Sequence, residues 1–217
     1  MNARGHDGDS MPDSQVVKEA MTIIVAGHET TARTLNMIWY LLSQNREVEM
    51  RLSAELSGLM SSKFSDMEAL ANFAYTRLAI DEALRLYLPG WLMTRTAIED
   101  DYLGEYYVPA GTEVYISPYV IQRHPDLWLE PESFHPERFK STDVREKRSA
   151  AMLPFSAGPR NCIGEVFART EMQVHLITVA SHIRLAYVKR APLEFEAGVN
   201  LRSRHDFTMS PEMKTLH

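Results

Sequence analysis

The residues best placed to do chemistry lie in one short stretch, Phe155-Ser156-Ala157-Gly158-Pro159-Arg160-Asn161-Cys162-Ile163-Gly164, which holds the only cysteine of the chain. A lone cysteine has no disulfide partner in the chain and lacks the companions of a structural zinc site. Gly158 and Pro159 signal a tight turn before it. From Glu165 onward Phe167, Ala168, Glu171, Met172, Val174, His175, Leu176 and Val179 recur at helical spacing. Cys162 is therefore expected on a loop at a helix N-terminus, where unpaired amide N–H groups and the helix dipole favour thiolate over thiol. A thiolate with Arg160 nearby to face an anionic group suits metal ligation, and haem iron takes a single protein thiolate as an axial ligand. A buried structural cysteine is the plainer alternative.

A second set, Ala26-Gly27-His28-Glu29-Thr30-Thr31, falls inside an apolar stretch. Glutamate is costly to bury, threonine diverts hydrogen bonds from the helix ladder, and glycine weakens a helix by about 1 kcal/mol relative to alanine. Together they suggest a functional kink. The alternative is a core helix whose threonine hydroxyls bond back to carbonyls. A zinc-protease reading of His28-Glu29 fails, because position 32 is alanine rather than a second histidine. A third set is Glu82 and Arg85, three apart and so neighbours on a helix face, flanked by Leu78, Ala79, Ile80, Leu84 and Leu86. If buried, that pair needs further hydrogen bonds.

The elements that must position these groups begin with a polar lead-in over residues 1–13. A long helix from about Ser14 to Ser43 comes next, ended by Gln44-Asn45. Its apolar middle, Ala20 to Ala26, predicts passage through a core. Helices are also expected at Glu47 to Ser57 and Phe73 to Leu86, with a short helical turn opened by Ser65-Asp66-Met67. Period-two patterning then predicts strands at Leu92 to Ile98, Tyr106 to Val108 and Glu113 to Ile116. Pro109-Ala110-Gly111 reads as a hairpin turn with proline at its first central position. Ser117 to Ser149 reads as packed loop with one short helix. After His182, strands are expected at Ile183 to Val188 and Leu201 to Met209. The fold class is mainly α with small β-sheets, an α+β arrangement.

With 217 residues the chain can build one large core or two small ones. The net charge of −6 excludes a general nucleic-acid binder. No apolar run approaches the roughly 18 residues of a membrane span. Met1 to Asp13 has no apolar signal-peptide core, which points to the cytoplasm.

The cysteine stretch resembles the haem-binding loop of the cytochrome P-450 family, Phe-x-x-Gly-x-Arg-x-Cys-x-Gly, filled here by Phe155, Gly158, Arg160, Cys162 and Gly164. The helix set is similar to that family's oxygen-activation motif, and Glu82-x-x-Arg85 with Pro136-Glu137-Arg138-Phe139 to its Glu-x-x-Arg and Pro-Glu-Arg-Phe segments. One departure is Leu88, where the family usually has proline. The resemblance implies the C-terminal part of a single domain over 14–217, with haem b as cofactor and Cys162 as iron ligand. Ala26, Gly27, Phe155, Gly158, Ile163 and Gly164 would border the haem, and Arg95 and Arg160 would meet its propionates. Glu29 and Thr30 would serve dioxygen, and the triad Glu82, Arg85 and Arg138 would be structural. Gly90 to Thr94, Ile23 and the Asp206-Phe207 hairpin would line the pocket. Lys140, Arg145, Lys147, Arg148 and Arg169 cluster around the cysteine loop in sequence and read either as a basic face for a ferredoxin, flavodoxin or flavin reductase or as a solvated loop. The implied reaction inserts one atom of dioxygen into a small organic substrate. An incomplete, inactive piece, or a haem-thiolate protein that does not activate dioxygen, are the competing classes.

Overall fold

The computed structural model describes residues 10–59, 68–141, 151–188, 193–206 and 208–214. Helix α1 spans Asp13–Gln44, α2 Arg46–Leu59, α3 Ala74–Leu86, α4 Pro118–Ile121 and α5 Glu165–Ala180. Short 3-10 turns lie at Glu68–Asn72, Pro136–Lys140 and Gly158–Arg160. The core sits where the C-terminal half of α1 meets α2, α3 and α5. Ile38, Leu42, Leu52, Leu56, Ile80, Leu84, Met172, Leu176 and Ile177 are buried together there.

The strands are β1 (Met93–Thr96), β2 (Asp101–Leu103), β3 (Tyr106–Val108), β4 (Glu113–Ile116), β5 (Ile183–Val188), β6 (Phe195–Ala197), β7 (Leu201–Ser203) and β8 (Thr208–Met213). Among the described residues they form four two-stranded antiparallel sheets, β1–β4, β2–β3, β5–β8 and β6–β7. The mainly α architecture with small sheets is thus as the sequence predicts.

Three expectations are corrected. Ala20 to Ala26 is not in the core: Ile23, Ile24 and Val25 are 60%, 67% and 69% exposed. α1 is buried only from Thr31 onward, because α2, α3, α5 and β5 pack on that half. Second, Pro109-Ala110-Gly111 does not join a hairpin. β3 pairs back to β2, a strand too short to show in the sequence pattern, while β4 pairs with β1. Pro109 is the first residue of the turn rather than a central one: Thr112 N donates to Pro109 O at 3.1 Å. Gly111 then takes the second central place at φ +83°, the left-handed value a type II turn requires there. Third, Leu201 to Met209 is not one strand: β7 pairs with β6, and β8 pairs with β5 in a separate sheet.

His175 on α5 illustrates how burial sets protonation. Trp39 Nε1 donates to His175 Nε2 at 3.1 Å, so the ring must be neutral at that atom. Burial lowers the imidazole below its ordinary value of 6.5, opposed only in part by Glu171. Below pH 6.5 the unfolded chain therefore binds the proton more readily than the folded one. Stability from this site is full above pH 6.5 and falls as pH drops from there toward the folded value. Urea midpoints measured from about pH 7.5 to about pH 5 are expected to decline less steeply in His175→Gln than in the parent, and equal slopes would refute the assignment.

Candidate active site

The cysteine loop is closed by its own backbone. Cys162 N donates to Phe155 O at 2.8 Å, and Asn161 N to Gly158 O at 3.1 Å. Two residues hold left-handed backbone, Ser156 at φ +66° and Gly158 at φ +72°. Glycine takes that region freely, whereas for serine it costs about 1 kcal/mol or more. The result is a free, exposed Cys162 two residues before the Gly164 N-cap of α5. A Cβ built on Gly164 would lie 3.8 Å from the Cys162 sulfur, so glycine keeps that flank of the sulfur uncovered. Ile163, Val166 and Phe167 beside it are also largely exposed. Phe155 turns inward against the core, with the Arg169 guanidinium 4.9 Å from its ring.

Behind the loop, the structure brings Glu82, Arg85 and Arg138 together. Arg85 Nε and Nη2 grip the two Glu82 oxygens at 2.8 and 2.9 Å, and Arg138 Nε donates to Oε1 at 2.9 Å. Arg85 spends its remaining N–H groups on the carbonyls of Gln122, Pro131 and Ser133. Glu82 and Arg85 are fully buried. Gln122, which no sequence motif singles out, extends this network toward the cysteine loop. Its Nε2 caps the Leu84 and Arg85 carbonyls at the end of α3, and its Oε1 accepts from Leu153 N at 2.7 Å. Arg123 takes the Leu86 carbonyl and Tyr87 N the Ala83 carbonyl. All four carbonyls that α3 leaves open are thereby satisfied.

On α1, Thr30 Oγ1 donates to Ala26 O at 2.6 Å, so the back-bonding alternative holds for this hydroxyl as it stands. Nothing lies within 4 Å of a Cβ built on Gly27. Glu29 is bound by Arg33 on one oxygen and by Asn200 Nδ2 on the other at 3.0 Å. Arg33 first and Asn200 second hold its carboxyl below the ordinary 4.5, so it is ionised at neutral pH. Asn200 is likewise invisible to sequence motifs; 171 residues separate it from Glu29, and only a Gly-Val-Asn turn marks it.

Arg95, on β1 opposite Val114, is exposed and bonds only the neighbouring Thr94 carbonyl among the described residues. Arg160 is exposed and has no ion-pair partner among them. Arg169 is not part of a free basic face: it pairs with Asp81 at 2.6 Å and Glu165 at 2.8 Å. Lys140 is exposed, while Arg145, Lys147 and Arg148 lie outside the described residues, as does Phe207; Asp206 is exposed.

The sequence model described as Cytochrome P450 matches residues 1–206. The chain belongs to the cytochrome P450 family. It is 39% identical over 178 residues to cyclooctat-9-en-7-ol 5-monooxygenase of Streptomyces melanosporofaciens, covering 82% of this chain and 39% of that protein. It is 34% identical over 183 residues to pentalenene oxygenase of Streptomyces avermitilis, covering 84% and 41%. The crystal structure of a cytochrome P450DA heme domain superposes with a TM-score of 0.88 at 26% identity, covering 98% of this chain and 47% of that one. The chain therefore spans about two fifths of the length of these curated relatives and about half of the solved domain.

The P450 residues present here fit a haem on the chemistry of their donors. They offer one free exposed thiol, exposed apolar side chains beside it, and two arginines that no described carboxylate claims. Among the described residues no three His, Cys, Asp or Glu side chains group as a metal site.

Proposed function

We propose that this P450 is a haem-thiolate monooxygenase that inserts one atom of dioxygen into a small organic substrate. The observation that supports it most is the presentation of Cys162, free and uncovered on a loop with two left-handed residues. Haem b, when bound, supplies the reductive activation of dioxygen. The electrons come from a ferredoxin, flavodoxin or flavin reductase.

Each residue then has a defined task. The Cys162 sulfur ligates the iron, and Gly164 keeps a side chain away from it. Arg95 and Arg160, planar cations without carboxylate partners among the described residues, bind the propionates of haem b. Gly27 leaves space on α1 for dioxygen. Thr30, once its hydroxyl leaves the Ala26 carbonyl, donates a hydrogen bond to it, and Glu29 accepts protons from solvent for delivery. The triad of Glu82, Arg85 and Arg138, with Gln122, holds the lead-in to the cysteine loop. The names of the two relatives, one acting on an alkenol and one on an alkene, support a largely hydrocarbon substrate. No helix among the described residues is long and apolar enough to cross a membrane, and a cytoplasmic setting is part of the same proposal.

The test is spectroscopic. Protein loaded with haem, reduced and exposed to carbon monoxide is expected to show the red-shifted Soret band of thiolate ligation, and Cys162→Ala to lose it. An unchanged band in Cys162→Ala would overturn the ligand assignment. A second reading, a haem-binding piece that does not turn over, is favoured by the exposed apolar half of α1. Haem binding without substrate oxidation distinguishes it.

A further inference from the structure

We infer that Asn200 is a positioning residue for Glu29, and that the β6–β7 hairpin tip thereby governs proton delivery; this rests on the proposed relay role of Glu29. The tip, Gly198-Val199-Asn200, is clamped on one side to the segment that leads into β1. Trp91 Nε1 donates to Gly198 O at 2.9 Å, and Leu201 N to Pro89 O at 2.9 Å. The Tyr87 and Phe195 rings stack at 5.0 Å beneath it. On its other side the tip reaches α1 through the Asn200 amide on Glu29 Oε2.

Among the described residues each Glu29 oxygen therefore has one protein donor, Arg33 on Oε1 and Asn200 on Oε2. A carboxylate oxygen has two acceptor sites, so each retains one for water. The carboxylate can take a proton where it stands, but it cannot turn toward Thr30 without releasing one donor. Arg33 is charged and sits on the same helix, four residues on, so its bond is the stronger and moves with α1. Asn200 is neutral and arrives on a separate hairpin, and it is the bond that gives way. The charged groups facing Glu29 are Arg33 on α1 and Arg202 on β7, the latter itself paired with Glu196 at 3.0 Å. Displacement of the tip from Pro89 and Trp91 by a bound substrate would withdraw Asn200 and free the carboxylate, linking pocket occupancy to proton supply.

The experiment titrates Glu29 directly. Protein labelled with carbon-13 at the glutamate carboxyl is followed by NMR across pH, with the Glu29 resonance assigned by its loss in Glu29→Gln. Asn200→Ala is expected to move the Glu29 titration upward, and Asn200→Asp to move it further, because a second carboxylate opposes ionisation. The Trp91 indole N–H resonance reports whether the hairpin stays docked in each variant. In haem-loaded protein supplied with a reductase, the acid limb of the turnover profile should move up with the Glu29 titration. An unshifted Glu29 titration in both variants, with Trp91 still docked, overturns the positioning role. If Glu29 shifts but Glu29→Gln turns over at the parent rate, the relay reading fails, and with it the control of proton delivery.

Discussion

Arg85→Ala is expected to lower stability by about 3–5 kcal/mol, the cost of breaking a buried ion pair from one side. Domains of this kind are stable by only about 5–15 kcal/mol, so the substitution removes a large share of that stability. The reason is visible in the donors. Arg85 makes five N–H bonds, two to Glu82 and one each to the carbonyls of Gln122, Pro131 and Ser133. Removing it leaves the buried Glu82 carboxylate with Arg138 and the His135 amide alone. Ser133 O still has Arg138, but the Gln122 and Pro131 carbonyls lose the Arg85 donor. Arg85→Lys should rescue little, because an ammonium offers three donors and no planar fork. Urea denaturation gives the measure: a midpoint shift worth less than about 1 kcal/mol, in the range of an exposed pair, would show that the network is not what holds this region.

That network also marks how far the sequence can be read. The Glu82–Arg85 spacing on an apolar helix announces the pair, since the 3.6-residue repeat makes the two side chains neighbours whatever the rest of the chain does. Arg138 enters only through the Pro-Glu-Arg-Phe resemblance, because its bond to Glu82 closes 56 positions of sequence. Gln122 carries no signal at all. The partners of its side chain are the Leu84 and Arg85 carbonyls and the Leu153 amide, and backbone groups have no residue identity to read. Asn200 is hidden by its distance along the chain. The helices and β5 are legible because their hydrophobic periodicity is local. β2 is not: Asp101-Tyr102-Leu103 is too short to show a period, and the Pro-Ala-Gly turn is a louder signal than the two-residue Gly104-Glu105 link that actually closes the β2–β3 hairpin. The exposure of Ala20 to Ala26 is illegible because an all-round apolar helix says only that something covers it. Which element does so is a tertiary matter.

The isolated chain is expected to self-associate and to fail as a coupled monooxygenase, and the exposed half of α1 is the cause. Val17, Met21, Ile24 and Val25 recur at helical spacing and are 57%, 61%, 67% and 69% exposed. Burying such a side chain is worth about 1.5–3 kcal/mol. Two copies meeting along this stripe would cover both sets, and a contiguous exposed apolar stripe of this kind favours association. Sedimentation velocity should therefore show species larger than the monomer, and Ile24→Lys with Val25→Glu should shift them toward monomer without altering the fold, since neither side chain belongs to the core. The same exposure leaves the Gly27–Thr30 stretch open to water, which drains reactive oxygen species before they meet substrate. Haem-loaded chain given electrons is thus expected to consume dioxygen with little product. A monodisperse monomer that couples electron flow to product would refute both parts, and would mean that the half of α1 left bare here needs no cover to work.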